Sequence, residues 1–236
     1  MLLVDGDILL YKAATSVEIE IDWGDDFWTL HADASAAKTA FDQEIRRLQK
    51  RLDTAEVTVA LSDPHYNWRL EVLATYKQNR RGKRKPVVYR ALKEYAKSRY
   101  ETAEIPGLEA DDVLGVLSGP DHIIVSEDKD LKTIPGVLYN PAKDSRVEIT
   151  TEEADRNHLL QTLTGDSVDG YSGCPGIGPK RAAALLERGG WEEVVGAYVK
   201  AGLSEHAALG QARVARILRP SEYNHETEEV LLWNPT

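Results

Sequence analysis

The stretch MLLVDGDILLYKAA, residues 1–14, decides how the rest of the chain is read. Leu2, Leu3 and Val4 form an apolar run of strand length, and DILLYKAAT has the spacing of a helix, so Asp5 to Asp7 fall at a strand-to-helix turn. In open parallel sheets ligands bind at that edge. Asp7 is placed to N-cap a helix starting at Ile8. Asp5 is then a metal ligand, a catalytic acid or a residue without function, and the remaining sequence has to choose.

Outward from that turn, the same signature recurs. IEIDWGDDFWTLHAD (19–33) predicts a hairpin around Gly24, ASAAKTAFDQEIRRLQKRLDTA (34–55) has the period of a surface helix, and VTVALSD (57–63) is a second strand ending in a carboxylate. NWRLEVLATYKQNR (67–80) and VVYRALKEYAKSRY (87–100) predict two helices flanking a basic strip. LEADDVLGVLSG (108–119) is a helix opening with acids, HIIVSEDKDLKTI (122–134) a strand followed by a loop, and VLYNP and SRVEIT short strands. From about Glu152 the pattern is mainly helical, with a last strand in EEVLLWN (228–234). Strands alternating with helices predict an α/β fold, a mostly parallel central sheet with helices on both faces.

Composition bounds the function. At 236 residues the chain makes one domain of moderate size, or one with a small appendage. A single cysteine, Cys174, excludes an internal disulfide and suggests a reducing interior; no run is apolar for long enough to span a bilayer or act as a signal peptide, which predicts a soluble cytoplasmic protein. The net charge of −10 is unlike that of a generic nucleic-acid binder, yet between Lys77 and Lys93 stand eight basic residues and no acid. Such a strip can track phosphates on an acidic protein.

Acids gather where strands end or helices begin: Asp5, Asp63, then Glu109, Asp111 and Asp112, then Asp128 and Asp130, then Asp166 and Asp169. Any one alone is ordinarily a solvated surface group. Together they are not, because the carboxyl ends of parallel strands share one edge. Asp128 and Asp130, two apart on an extended segment, would point one way; Glu109 with Asp112 and Asp166 with Asp169, three apart on helices, would share faces. That many carboxylates require hard divalent cations to neutralise them. Oxygen-only ligation points to magnesium or manganese, and a pair of ions roughly 3.5–4 Å apart is the usual device for phosphodiester hydrolysis.

LLVDGDILLY (2–11), LSDPHYNWRLEVLATYKQNR (61–80), GLEADDVLGVL (107–117), IIVSEDKDLKTI (123–134) and LTGDSVDGYSGCPGIGPKRAAALLE (163–187) occur in the order and approximate spacing of the flap endonuclease or 5'-3' exonuclease family. QARVARILRPSEYNHETEEVLLW (211–233) further resembles the end of the free-standing phage enzymes. The resemblance covers nearly the whole chain and implies a nuclease core over residues 1–151, with a basic arch at about 77–100. A helical DNA-binding region would follow over 152–236, with a helix-hairpin-helix at about 163–187. It implies Asp5, Asp63, Glu109 and Asp111 on a first metal and Asp128 between two. Asp130, Asp166 and Asp169 would serve the second, with Asp112 a ligand or an outer support. The matching Lys77 and Arg80, three apart on one helical face, would contact the scissile phosphate and stabilise its developing charge. Arg81, Lys83, Arg84 and Lys85 would draw in a single-stranded 5' end. Gly176, Gly178 and Lys180 would grip the duplex backbone without reading sequence, with a monovalent cation such as potassium.

The implied activity is two-metal hydrolysis of DNA, and of RNA in RNA–DNA hybrids, from 5' ends or at 5' flaps. The setting would be replication, primer removal or DNA degradation, by a monomer in a phage-infected host. Asp7 departs from the family pattern. Two other readings fit parts of the sequence: a structure-specific DNA-binding protein with a decayed site, and a haloacid-dehalogenase phosphatase with Asp5 as nucleophile and Asp7 as acid/base. The phosphatase leaves EADD, the basic strip and GCPGIGPK unexplained.

Overall fold

Strand β1 (Leu2–Asp5) is buried along its length in the computed structural model, which describes residues 1–80 and 82–235. Leu2 and Val4 enter one apolar cluster and Leu3 the other, the two faces of a strand buried on both sides. The chain continues through α1 (Gly6–Thr15), a hairpin of β2 (Glu18–Asp22) and β3 (Trp28–Ala32), α2 (Ala34–Arg51), β4 (Val57–Leu61), α3 (Arg69–Val72), α4 (Tyr89–Arg99) and β5 (Glu101–Glu104). It then forms α5 (Ala110–Leu117), β6 (Ile123–Val125), β7 (Gly136–Asn140) and β8 (Ser145–Ile149), followed by α6 (Thr151–Thr164), α7 (Pro179–Leu186), α8 (Trp191–Lys200) and α9 (Glu205–Ala215). A two-residue pairing of β9 (Tyr223–Asn224) with β10 (Glu229–Val230) closes it.

Six strands make one sheet in the order β5-β4-β1-β6-β7-β8, parallel except for β8. From β1 the chain fills one side of the sheet, then crosses over and fills the other. That reversal puts a topological switch point between β1 and β6, where such sheets hold ligands. Phe41, Ile45, Leu48 and Leu92 cover one face, and Val113, Leu114, Leu131 and Leu218 the other. A third cluster, with Leu163, Ala182, Val194 and Tyr198, is the core of the C-terminal helices. After α9 the chain returns: Ile217 and Leu218 pack in the sheet's second cluster, and a side chain on Gly115 would meet the Leu218 carbonyl. No helix among the described residues is long and apolar enough to cross a membrane.

The structure corrects several expectations. Residues 67–80 are not one helix: α3 ends at Val72, Leu73 is extended, and Lys77 is left-handed at φ 49°. Its backbone N–H donates to the Asp169 carbonyl at 2.8 Å, a long-range tie that overrides helix propensity. The basic arch is short, because α4 buries Tyr89, Leu92 and Ala96 against α1 and α2 rather than standing free. The polar edge strand β5 is unanticipated, and the last strand shrinks to two residues.

Candidate active site at the carboxyl edge of the sheet

Asp5, not Asp7, caps α1. The helix starts one residue after β1, at Gly6, where a side chain would meet the Ala60 carbonyl at 2.5 Å, so only glycine permits so abrupt a turn. Asp5 therefore accepts from the Ile8 N–H at 3.1 Å and from the Ser126 hydroxyl at 2.7 Å. Asp7 lies in the first turn and accepts from the Tyr89 hydroxyl. Held by both oxygens, Asp5 is poorly disposed as a nucleophile, which disfavours the phosphatase reading.

At the switch point, Asp5, Asp111 at the start of α5 and Asp128 after β6 crowd one another. Burial, with smaller contributions from Asp7 and Asp128, pushes Asp5 up to about 6. Burial, then Asp5 and Asp128, pushes Asp111 well above the usual carboxylate range. Asp128 and Asp130 meet through a turn rather than along a strand: the Asp130 N–H donates to Asp128 Oδ1 at 2.8 Å. Gln161 of α6 donates to Asp130 at 2.7 Å, and burial followed by Asp128 raises Asp130 to about 6, with Asp166 and Asp169 adding to the repulsion.

The next group carries its own cations. Lys77 Nζ lies 2.5 Å from Glu109 Oε1 and 3.6 Å from Asp169, and Arg80 donates to Asp169 at 2.7 Å. Tyr76 donates to Glu109 at 2.8 Å and to Asp169 at 3.2 Å, joining the two carboxylates. Burial works against charge on Glu109, but Lys77 and Arg69 outweigh it and hold Glu109 at about 2. Lys77 stays protonated: burial disfavours its charge, and Glu109, Asp169 and Asp111 more than offset that. Asn79 donates to the Ser167 and Val168 carbonyls, so the start of the basic strip is fastened to the acidic loop of the helical part. Lys77 and Arg80 thus converge on Asp169, by a turn and not by a helical face.

Asp63, expected as a ligand, and Asp112, expected as a ligand or an outer support, both hold other groups of the chain. Asp63 accepts from the His65 and Gly107 N–H groups and closes the turn after β4. Asp112 is fully buried, and its oxygens accept from Arg69 twice, from Trp68 and from the Leu218 N–H. Arg69 is the residue that sequence reasoning missed. Its guanidinium also donates to the Val214 and Arg216 carbonyls and lies over the Trp68 and Tyr76 rings. The signal was a lone arginine within an apolar stretch; Trp68 and Tyr76, which could have stacked on bases, are instead buried around it.

The donors suit a hard divalent cation in kind, being carboxylate oxygens whose crowding leaves negative charge unbalanced. Among the described residues no three of them are already drawn around one point, and Lys77 takes the central place between Glu109 and Asp169.

Of the basic strip, Arg84 forms two hydrogen bonds to Glu18 of the hairpin, Lys85 lies over Tyr89, Lys83 is exposed, and Arg81 falls outside the described residues. In the glycine turn, Gly176 adopts φ 74° and requires glycine. Gly178 does not: it is the N-cap of α7 at φ −92° with open space where a side chain would go, so only a ligand's approach could demand it. Pro179 opens the helix and Lys180 is exposed beside it.

A model of the 5'-3' exonuclease N-terminal resolvase-like domain matches residues 1–159. Over its whole length the chain is 32% identical to the exonuclease of Escherichia phage T7 and 31% identical to the exodeoxyribonuclease of Enterobacteria phage T3, spanning 93% of each. Among solved structures it is similar to the 5'-exonuclease of phage T5 with bound zinc (TM-score 0.68, 19% identity, 94% of this chain and 90% of that one). A second is a phage T5 flap endonuclease in complex with DNA and metal ions (TM-score 0.70, 17% identity, 93% and 89%). Identity that low speaks to the fold alone. The family match over more than half the chain, and the phage relatives aligned to all of it, agree with the acids at the switch point: the chain belongs to the 5'-3' exonuclease family.

Proposed function

We propose that this protein hydrolyses DNA phosphodiesters from 5' ends and at 5' flaps, and RNA in RNA–DNA hybrids, during replication, primer removal or DNA degradation in an infected cell. The observation that carries the reading is the meeting of two crowded, largely half-buried acidic groups near the switch point with Lys77, Arg80 and Tyr76, all tied to Glu109 or Asp169. Asp5, Glu109, Asp111 and Asp128 would hold one magnesium or manganese ion, and Asp130, Asp166 and Asp169, with Asp128 between, the other. When bound, the pair supplies an activated water and neutralises charge on the scissile phosphate.

The chain's own residues do the rest. Asp112 and Asp63 act as supports: the first fixes Arg69, the second closes the turn beside α5. Lys77, kept protonated by its acidic neighbours, and Arg80 present positive charge to the phosphate and bind it more strongly as it gains charge. Lys83, Arg84 and Lys85 attract the single strand, with Arg84 exchanging Glu18 for phosphate. The Gly176–Lys180 turn would hold duplex backbone, with a monovalent cation such as potassium aiding the grip.

End-labelled duplex, 5'-flap and hybrid substrates, each with magnesium and with chelator, test the reading. Cleavage should require the metal, and Asp128→Asn should abolish it while leaving DNA binding within a few-fold. Undiminished cleavage after exhaustive chelation, or turnover of a chromogenic phosphate ester in place of DNA, would overturn it.

A further inference from the structure

A cavity of about 570 Å³ lies between Asp155, His158 and Leu159 of α6, the start of α8 and the tail at 231–235. Two arginines line it, and both have buried donors with no acceptor. Arg216 is 4% exposed at its side chain; Nε and Nη2 are bound to Glu222, but Nη1 has no hydrogen-bond partner among the described residues. Arg219 Nε is likewise orphaned. A buried charged donor without an acceptor is costly, so its persistence points to a ligand. The local field agrees: burial and then Arg216 hold Arg219 below its usual range, and the same two causes push His158 down to about 3.

Among the described residues Asp155, half-exposed, is ion-paired with both arginines, 2.7 Å from Arg219 Nη2 and 3.9 Å from Arg216 Nη1, and leaves Arg219 Nε without a partner. It is a counter-ion at the rim, free to swing into solvent. Glu222 has no capacity left, since it also accepts from the Arg219 N–H. Two indoles also line the cavity, Trp191 and Trp233, packed edge to face with ring centroids 5.3 Å apart; Trp233 is also packed edge to face on His158, and its carbonyl is anchored by Arg213. Guanidinium donors beside aromatic walls recognise a phosphate joined to a planar ring, and the volume suits a ligand of that size.

We propose that this cavity is a nucleoside monophosphate site, with Arg216 and Arg219 taking the phosphate as Asp155 moves aside and Trp191 and Trp233 receiving the base. It lies apart from the acidic cluster and takes the chemical class that an exonuclease releases, so it would let product accumulate on the enzyme away from the carboxylates. Neither the metal chemistry nor the grip on DNA requires it.

Calorimetric titration of the full chain with 2'-deoxyadenosine 5'-monophosphate, in chelator so that no divalent ion bridges ligand to the acids, tests the assignment. Saturable binding should weaken about tenfold in Arg219→Gln, as expected for loss of a charge-assisted pair. It should tighten roughly threefold or more in Asp155→Asn, which removes a competing surface carboxylate. Lys77→Ala should leave it unchanged. Should Arg219→Gln fail to fold, the Asp155→Asn arm decides, because that side chain is half-exposed. No saturable binding overturns the proposal, as does binding lost in Lys77→Ala and indifferent to Asp155. Inorganic phosphate binding as tightly as the nucleotide would also overturn it, reducing the cavity to an anion pocket, and deoxyadenosine binding as tightly would remove the arginines from recognition.

Discussion

Replacing Arg69 by methionine removes one guanidinium from five acceptors at once. In the native protein that side chain is 3% exposed, and Asp112 beside it is fully buried, so solvent screening discounts little. Methionine of similar length fills the space but leaves a buried carboxylate facing Trp68, the Leu218 N–H and a void of charge, and it strips donors from the Val214 and Arg216 carbonyls. Breaking a buried pair by removing one partner costs about 3–5 kcal/mol, a large part of the roughly 5–15 kcal/mol that holds a typical domain together. For a chain of this size each kcal/mol lowers Tm by roughly 2–4 °C, so a fall on the order of 10 °C is expected. Thermal melts followed by circular dichroism measure that fall, urea unfolding measures the free energy, and a double-mutant cycle gives the reason. Asp112→Leu alone should be comparably harmful, while Arg69→Met with Asp112→Leu should cost clearly less than the sum, because the stranded charge is gone. If Arg69→Met lowered stability by under about 1 kcal/mol, or if the two changes were additive, the buried pair could not be the link between α5 and the chain after α9.

Lys77→Ala and Arg80→Ala should each slow single-turnover cleavage at saturating enzyme by about 100- to 1000-fold while DNA affinity changes far less; a normal single-turnover rate would return both to the generic basic strip. Gly176→Val forces a β-branched residue to φ 74° and should destabilise the fold by about 1–3 kcal/mol, whereas Gly178→Val, in open space, should leave Tm nearly unchanged and weaken duplex binding, as read by thermal melts and anisotropy. Lys180→Ala should flatten the log–log salt dependence of duplex binding by roughly one unit. His158 is held neutral down to about 3, whereas in the unfolded chain it takes a proton near its ordinary value. Stability should therefore be full above about pH 6.5 and fall by about 1.4 kcal/mol per unit as pH drops toward 3; His158→Gln should lose that component, visible as a shallower pH slope in urea midpoints.

The arrangement of acids at one sheet edge is legible in the sequence because it follows from strand order and period: apolar runs that end in carboxylates are local patterns. What escaped reading depends on partners far along the chain. Arg69 bonds carbonyls 145 and 147 positions away, and Lys77 is pulled out of helical geometry by Asp169, so NWRLEVLATYKQNR reads locally as a helix that the fold does not keep. Asp112 reads in EADD as a ligand or an outer support without a way to choose, because its burial depends on Leu218 arriving from far along the chain. The ETAE strand at 101–104 is too polar to announce itself, since an edge strand needs only one covered side.

That late arrival has a consequence for the order in which the protein is made. The central strand β1 precedes its neighbour β6 by about 120 residues, and Asp112 and Arg69 wait for residues 214–218 to satisfy them. Contacts so distant in sequence make for slow assembly. A nascent chain stopped near residue 151 would hold the acids of the sheet edge without Asp166, Asp169 or the carbonyls that seat Arg69. The acids at the sheet edge would thus be made long before the segment that seats Arg69 and Asp112, and the site could be complete only once residues 214–218 had joined it.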